Sequence, residues 1–311
     1  MRRVRRIGNN VPAANGQEIA GSPCSRRTLL AGLAGSLSML ALQPSRLIAA
    51  PPVSRDPGGS SSARDRAAAI RAIPMNALDR AARQKVNAVL ASITIFRRLP
   101  VQMFQCDPEL YLFMIEHPDV TTNIWEVLGV SDVAIRKTGQ RTFSANDGAG
   151  TKSDIEFLHV APDTHLLYAV GSYDGSLFTR PVRGGALLLL KSGTIKDKGG
   201  RSYLTCRLDV FCRVDHLGVE LTAKTFQGLV GKSADHNFVE SISFLDQLSQ
   251  AAAARSKRVL EIADQLDKVT SEDKQAFSRI VNRIGESSPA EPLPLQRMDA
   301  LDGKATGLFR R

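Results

Sequence analysis

The sequence predicts an α+β fold, in which a curved antiparallel sheet of about seven strands packs against one long C-terminal helix with further helices beside it. Between Tyr203 and Val214 apolar residues alternate with polar ones, the period of a strand with one buried face. After Gly218 apolar residues recur at helical spacing as far as Leu248. A long last strand followed by a long last helix requires that helix to lie across the sheet, where it can enclose a cavity.

The alternation in the last strand predicts which of its side chains face the helix. This inward set is Leu204, Cys206, Leu208 and Val210, and Phe211 breaks the pattern. On the helix, the apolar residues Phe238, Ile242 and Leu245 span two turns and share one face. We expect these three to form part of the roof of the cavity.

The elements before the meander are predicted from periodicity and capping signals. Asn76 to Ile93 is an amphipathic helix, whose polar face includes acids and amides and therefore favours packing on the domain over contact with a membrane. Thr94 to Gln105 is a strand that Pro100 interrupts, which places it near a sheet edge. Two short helices follow, the first started by Asp107 and Pro108 and the second ended by Gly129.

Six strands separated by turn clusters form an antiparallel meander. Their predicted ranges are 130–138, 142–146, 152–161, 166–173, 185–195 and 201–214. Beyond the long helix, 256–268 and 271–284 have the apolar spacing of two further amphipathic helices. The predicted organisation is an export signal at 1–50, a disordered linker at 51–72, an amphipathic helix at 73–93, the main domain at 94–254, C-terminal helices at 255–286 and a disordered tail at 287–311.

The amino terminus has the composition of an export signal. Its first 50 residues hold seven arginines and one acid, a net +6 of the chain's +10. Arg26 and Arg27 precede an apolar run from Leu29 to Leu42 that is too short to span a bilayer, and the pair resembles a twin-arginine signal. We therefore expect export to the periplasm or cell envelope of a bacterium. An uncleaved membrane anchor and an organellar transit peptide are the alternatives.

The charge distribution argues against a nucleic-acid-binding protein, and the spacing of the cysteines argues against a metal site. Because most of the positive charge lies in the signal and no nucleic-acid motif accompanies it, we predict no nucleic-acid partner. The cysteines have no metal-ligand spacing. Cys206 and Cys212 are too far apart on one strand to bridge, whereas Cys106 is expected either to pair with one of them or to remain a buried thiol.

The order of one strand, two short helices, six antiparallel strands and a long helix resembles the helix-grip fold of the START-like lipid-transfer and polyketide-cyclase superfamily. The resemblance covers about Thr94 to Gln250. It is carried by Val214-Asp215-x-x-Gly218 between the last strand and the last helix, and by His117-Pro118 through Trp125. It implies a hydrophobic cavity between sheet and helix, used for lipids, sterols, aromatic polyketides or other apolar ligands.

Several polar and aromatic residues are candidates for lining that cavity. Trp125, the single tryptophan, is expected near its mouth. Tyr168 and Tyr173 are five residues apart on one strand and must face opposite sides, so that one of them points inward. Arg207 is an anchor for an anionic headgroup if its face lines the cavity, and part of an exposed charge ladder otherwise.

The sequence indicates no catalytic, cofactor or metal site. His236 and Glu240 are four residues apart on the helix but lack a third ligand, and His159 and His165 flank a turn. The leading hypothesis is an exported protein that binds a hydrophobic small molecule or lipid and has possible peripheral membrane contact. The alternatives are a cyclase or dehydratase on the same fold, with a cavity residue as proton carrier, and a structural module whose core is filled.

Overall fold

The computed structural model describes residues 58–175, 180–198, 202–215 and 223–287, with residues 223–232 given as backbone alone. The predicted export signal, the first part of the predicted linker, the Gly218 turn and residues 288–311 of the predicted tail lie outside this part of the chain. Among the described residues, no helix is both long enough and apolar enough to cross a membrane.

The described elements follow the predicted order. The helices are α1 (Ala63–Arg71), α2 (Arg80–Leu90), α3 (Pro108–Glu116), α4 (Pro118–Leu128), α5 (Ala223–Asp264) and α6 (Ser271–Ser287). The strands are β1 (Ile95–Arg98), β2 (Gln102–Gln105), β3 (Ala134–Lys137), β4 (Thr142–Asn146), β5 (Thr151–Ala161), β6 (Thr164–Tyr173), β7 (Val182–Lys196) and β8 (Ser202–Val214).

All eight strands belong to one antiparallel sheet, and β8 pairs along its whole length with Gly184–Lys196 of β7. Its order is β1, β8, β7, β6, β5, β4, β3, and β2 also pairs with β8. Pro100 divides the first predicted strand into β1 and β2 at the sheet edge, as expected of a residue that cannot donate to a ladder. The predicted fold class, an antiparallel sheet with a long C-terminal helix in the helix-grip order, is confirmed.

Capping chemistry sets the ends of the short helices as predicted. The Asp107 side chain accepts hydrogen bonds from the amides of Glu109 and Leu110 at the start of α3. At the end of α4, Gly129 has φ = 65°, a conformation that residues with a Cβ adopt at a cost. Because both caps are in place, α3 and α4 form a compact pair at one end of the sheet.

Each face of the sheet is covered, and the two coverings form separate apolar clusters. The inner face, defined as the face toward α5, packs with α3 to α6 around residues such as Leu110, Leu204 and Phe277. The outer face packs with α1 and α2. Phe211, which breaks the alternation in β8, is completely buried in this outer cluster against Phe96. Phe211 departs from the alternation because it packs on the second face of the sheet, which is also covered.

The linker prediction is wrong from Ala63 onward, because this segment is helix α1. Ser62 caps the helix by accepting from the amide of Asp65, and Ala69 is fully buried on the sheet. Arg98 of β1 binds Asp65, with an Nη1 to Oδ1 distance of 3.0 Å. The small alanine-rich helix was overlooked because its composition resembles that of a linker. The amphipathic helix predicted after it is also shorter than expected, since it begins at Arg80.

The long C-terminal helix is broken near its end. Arg255 has non-helical angles (φ = −147°, ψ = 48°), so α5 consists of two helical parts joined at this residue. Its second part and α6 pack on each other and carry the apolar faces predicted for 256–268 and 271–284, including Val259, Phe277 and Val281 in the core. These two C-terminal pieces therefore extend the inner-face cluster beyond the helix-grip unit.

Candidate functional site

The inner face of β8 confirms the predicted alternation. Leu204 and Cys206 are buried in the inner-face cluster, and Leu208 and Val210 pack against it while partly exposed. Arg97 stands opposite Val210 in the register of β1 and β8 and forms an ion pair with Asp235 of α5. This pair places α5 above the inner face at the middle of β8.

Toward the middle of the sheet, the inner face carries apolar side chains that are only half-buried. Leu167 of β6 lies opposite Leu188 of β7, which lies opposite Val210 of β8. All three keep part of their surface accessible. Side chains in a filled core are normally inaccessible, so this row marks a place where sheet and helix do not close on each other completely.

The next two rows on the inner face are built from small residues. Ala169 lies opposite Ala186, and one row further Gly171 lies opposite Gly184. These two rows carry no side chain larger than a methyl group, and we refer to this part of the inner face as the hollow. The hollow lies at the end of β8, from which the chain returns as α5. This part of the inner face is therefore the candidate ligand site.

The predicted roof residues of α5 share one face, and that face is buried. Phe238, Ile242 and Leu245 are 9, 5 and 5% exposed and belong to the inner-face cluster. The backbone carbonyl of Leu245 lies 3.9 Å from the Cys106 thiol, and Ser249 accepts a hydrogen bond from the amide of Asp107. These contacts and the packing of the apolar side chains hold the middle of α5 against the segment that joins β2 to α3.

Trp125 lies between α4 and α5. Its ring meets Phe244 edge to face at a centroid distance of 5.7 Å. The indole Nε1 is buried and has no hydrogen-bond partner. A buried donor of this kind is costly unless a partner arrives, and a ligand oxygen is one such partner. The sequence analysis did not predict Phe244 as the ring that contacts Trp125, although Phe244 directly precedes Leu245 of the predicted face.

The tyrosines and Arg207 separate onto the two faces. Tyr173 is on the inner face, in register with Val182 of β7, whereas Tyr168 packs in the outer cluster with Lys85 5.8 Å from its ring. Arg207 also lies on the outer face, 3.4 Å from the carboxylate of Asp209. The structure therefore brings Trp125 and Tyr173 to the α5 side and leaves Tyr168 and Arg207 on the opposite side of the sheet.

Asp209 is the counter-charge for two arginines on the outer face, Arg98 and Arg207. Its carboxylate is completely buried and accepts two hydrogen bonds from the Arg98 guanidinium, at 2.7 and 3.1 Å. This bidentate pair raises the pKa of Arg98, because the hydrogen bond and the charge of Asp209 favour the protonated form. The alternating charges of β8 are thus a buried ion-pair network under α1 as well as a surface ladder.

His165 on the inner side of the sheet pairs with Glu116, whose side chain is exposed to solvent. The ring of His165 is fully buried, its Nε2 lies 3.4 Å from Glu116, and its Nδ1 has no partner. Burial lowers the pKa of His165, which leaves the ring neutral at pH 7. His165 and His159 therefore do not form a site of their own. His236 is 3.9 Å from Glu240 and largely exposed, and no group of three metal-ligating side chains occurs in the described ranges.

A second cluster of titratable groups joins α4, α6 and β3. Asp119 is fully buried, and neither of its carboxylate oxygens has a hydrogen-bond partner. Asp273 accepts a hydrogen bond from Lys137 at 2.8 Å and lies 3.1 Å from His117 Nδ1. Burial raises the pKa of Asp119, and the nearby Asp273 carboxylate raises it further. The cluster is enclosed at Asp119 and partly open to solvent at His117 and Lys137.

A groove of about 600 Å³ lies on the sheet between β3 and β7. Most of the side chains that line it lie on the outer face, and Gly171 and Gly184 also border it, so the groove differs from the cavity predicted under α5. The outer-face side chains combine apolar and charged groups: Ala134, Arg136, Lys152, Asp154, Val170 and Arg183.

The three cysteines in the described ranges are free thiols, so Cys106 forms no disulfide with Cys206 or Cys212. Cys106 and Cys206 are buried, and Cys212 is half-buried. Burial raises the pKa of Cys106 and of Cys206 to about 12. Both thiols are therefore protonated at neutral pH and pack as small apolar groups.

No protein-family model and no curated protein match the chain. Among solved structures, it is similar to a conserved protein from Geobacillus kaustophilus, with 11% identity, a TM-score of 0.35, and 47% of this chain and 91% of that chain covered. It is also similar to Ara h 8.0201, with 12% identity, a TM-score of 0.27, and coverage of 46% and 94%. A dicamba monooxygenase bound to dicamba has 11% identity, a TM-score of 0.32, and coverage of 69% and 64%. At these TM-scores, none of the three bears on what this chain binds.

Proposed function

We propose that this chain is an exported member of the START-like superfamily that binds an apolar or amphipathic small molecule between the inner face of the sheet and α5. The observation that carries the proposal is the half-exposed apolar row Leu167, Leu188 and Val210 next to the small residues Ala169 and Ala186. Apolar surface beside positions with small side chains suits a hydrophobic ligand.

The polar groups nearby support an amphipathic rather than a purely hydrocarbon ligand. The Trp125 indole Nε1 lacks a partner, and Tyr173 projects from the same side of the sheet. Pockets for small molecules typically combine an apolar lining with a few such groups, which orient the ligand. A ligand with a carbonyl, hydroxyl or carboxylate group at one end matches this combination.

Titration of the full chain with a fatty acid, an isoprenoid and an aromatic polyketide, followed by Trp125 fluorescence, tests the proposal. We expect a saturable response to at least one class. Ala169→Phe fills the hollow on the inner face and should abolish the response. Ser172→Phe is the matched control, because it adds the same ring to the outer face of the same strand. Mass spectrometry of lipid extracted from natively purified protein identifies the ligand.

The same titration separates the alternatives. No response from any class would favour a structural module, since α1 and α2 pack on the sheet and α6 packs on α5 and α3, as that hypothesis requires. Turnover of a bound polyketide would favour a cyclase or dehydratase. The buried groups with shifted pKa values, His165 and Asp119, are both completely enclosed and therefore do not by themselves support catalysis.

A further inference from the structure

Five large hydrophobic side chains are exposed in the part of the chain that the structure describes, and three of them lie at one edge of the sheet. They are Val101, Met103 and Ile195, at 37, 45 and 53% exposure. Met103 is on β2, Val101 directly precedes that strand, and Ile195 is near the end of β7. β8 runs between the two strands.

The strand register places these residues on the same side of the sheet. Met103 lies opposite Thr205 of β8, and Thr205 lies opposite Gly193 of β7. One row further, Ile195 lies opposite Tyr203. Because residues two apart on a strand share a face, all of them belong to the outer face. Gly193 contributes no side chain, so the surface between Met103 and Ile195 is low and open.

The helices on the outer face stop short of this edge. Leu187 and Leu189 of β7 are buried under α1 and α2, but Lys191, the next residue on that face, is partly exposed. The row of Lys191 and Arg207 therefore separates the buried outer cluster from the exposed apolar edge. The exposed apolar residues are therefore separate from the outer cluster, because a row of cations lies between the two.

Two further lysines provide positive charge at the far end of the edge. Lys196 and Lys198 are exposed, and Asp197 lies between them in the sequence. By contrast, Lys191 is balanced by Asp163 and Arg207 by Asp209, each at 3.4 Å. Two lysines against one aspartate leave a net positive charge next to Ile195, where it can meet the anionic headgroups of a membrane while the apolar side chains enter the interface.

We propose that the edge formed by Val101, Met103, Ile195, Lys196 and Lys198 docks on the surface of an anionic lipid bilayer. The apolar side chains supply burial in the headgroup region, and the two lysines supply attraction to negative charge. This surface lies on the opposite side of the sheet from the proposed ligand site, and its contact with lipid does not depend on whether that site holds a ligand.

Sedimentation of the full chain with vesicles tests the proposal. We expect binding to vesicles of phosphatidylglycerol and phosphatidylcholine, and weaker binding to phosphatidylcholine alone. Met103→Ser with Ile195→Ser should weaken binding at least roughly tenfold. Lys196→Gln with Lys198→Gln should weaken binding to the anionic vesicles roughly 30-fold. The matched control is Leu128→Ser with Val170→Ser, at 39 and 41% exposure elsewhere on the surface, which should change nothing.

A second measurement locates the contact independently of the amino terminus, whose apolar run is the same in every variant. In a Trp125→Phe background, a tryptophan at position 195 (Ile195→Trp) should be quenched by brominated lipid, and one at position 170 (Val170→Trp) should not. Equal quenching at both positions, or equal loss of binding in the control pair, would overturn the proposal. So would a concentration-dependent dimer in light scattering that Met103→Ser with Ile195→Ser abolishes, because the edge would then be an interface between copies.

Discussion

Asp119 shows how one buried side chain makes stability depend on pH. Its carboxylate is fully enclosed without a hydrogen-bond partner, and burial raises its pKa from the ordinary value of 3.8. The folded protein therefore holds a proton that the unfolded chain releases more readily. Stability from this group is present below the unfolded pKa and declines as the pH rises through the higher folded pKa.

Asp119→Asn should accordingly raise the free energy of unfolding at neutral pH, because a neutral amide removes the cost of ionising a buried carboxyl group. The advantage should shrink toward pH 4, where the native carboxyl is itself protonated. Urea unfolding of both proteins at pH 4 and pH 7.5 measures the difference. A variant that is less stable at both values would mean that an interaction of the Asp119 carboxylate outweighs its burial.

At the scale of single residues, the sequence predicts which face of the sheet a side chain lies on better than it predicts which residues that side chain contacts. The alternation of Leu204, Cys206, Leu208 and Val210 was sufficient to assign the inner face of β8, because periodicity depends on the strand alone. The role of Arg207 depended on which face lined a cavity, and that follows from where α5 and α1 pack. Asp209 was indistinguishable from an exposed charge, since its burial requires Arg98 from another strand and α1 from another region.

Among the elements, β8 and α1 are linked by that ion-pair network, and its removal should loosen the helix. Asp209→Asn keeps the size of the side chain but leaves Arg98 without its buried counter-charge, which should cost roughly 3 to 5 kcal/mol. Hydrogen exchange of the amides in Ala63–Arg71 should rise with it, because Arg98 also holds Asp65. Exchange confined to global unfolding would show that α1 is held by its apolar contacts alone.

The long helix offers a second prediction about elements. Leu245 is 5% exposed within the inner-face cluster, and so Leu245→Ala should lower the free energy of unfolding by roughly 2 to 5 kcal/mol, the range for a packed site. Its effect on ligand preference should be small compared with that of Ala169→Phe. A small loss of stability together with altered ligand preference would mean that the hollow extends beneath Leu245.

For the whole molecule, the helix-grip order was predictable because each strand and helix carries its own signal of period, cap or turn. The covering of the outer face was not, because α1 has the composition of a linker and only its burial on β1 reveals its function. The hollow also escaped prediction. It arises where Ala169, Ala186 and two glycines meet across neighbouring strands, and that coincidence depends on register.

Export is the last prediction at this scale, and it rests on the paired arginines before the apolar run. A twin-arginine signal carries proteins that have already folded in the reducing cytoplasm. Replacing both Arg26 and Arg27 by Lys should retain the chain in the cytoplasm of a bacterial host, as measured by cell fractionation. A single conservative change elsewhere in the segment, Arg46→Lys, is the control. Unchanged delivery of the double variant to the envelope would remove the twin-arginine assignment.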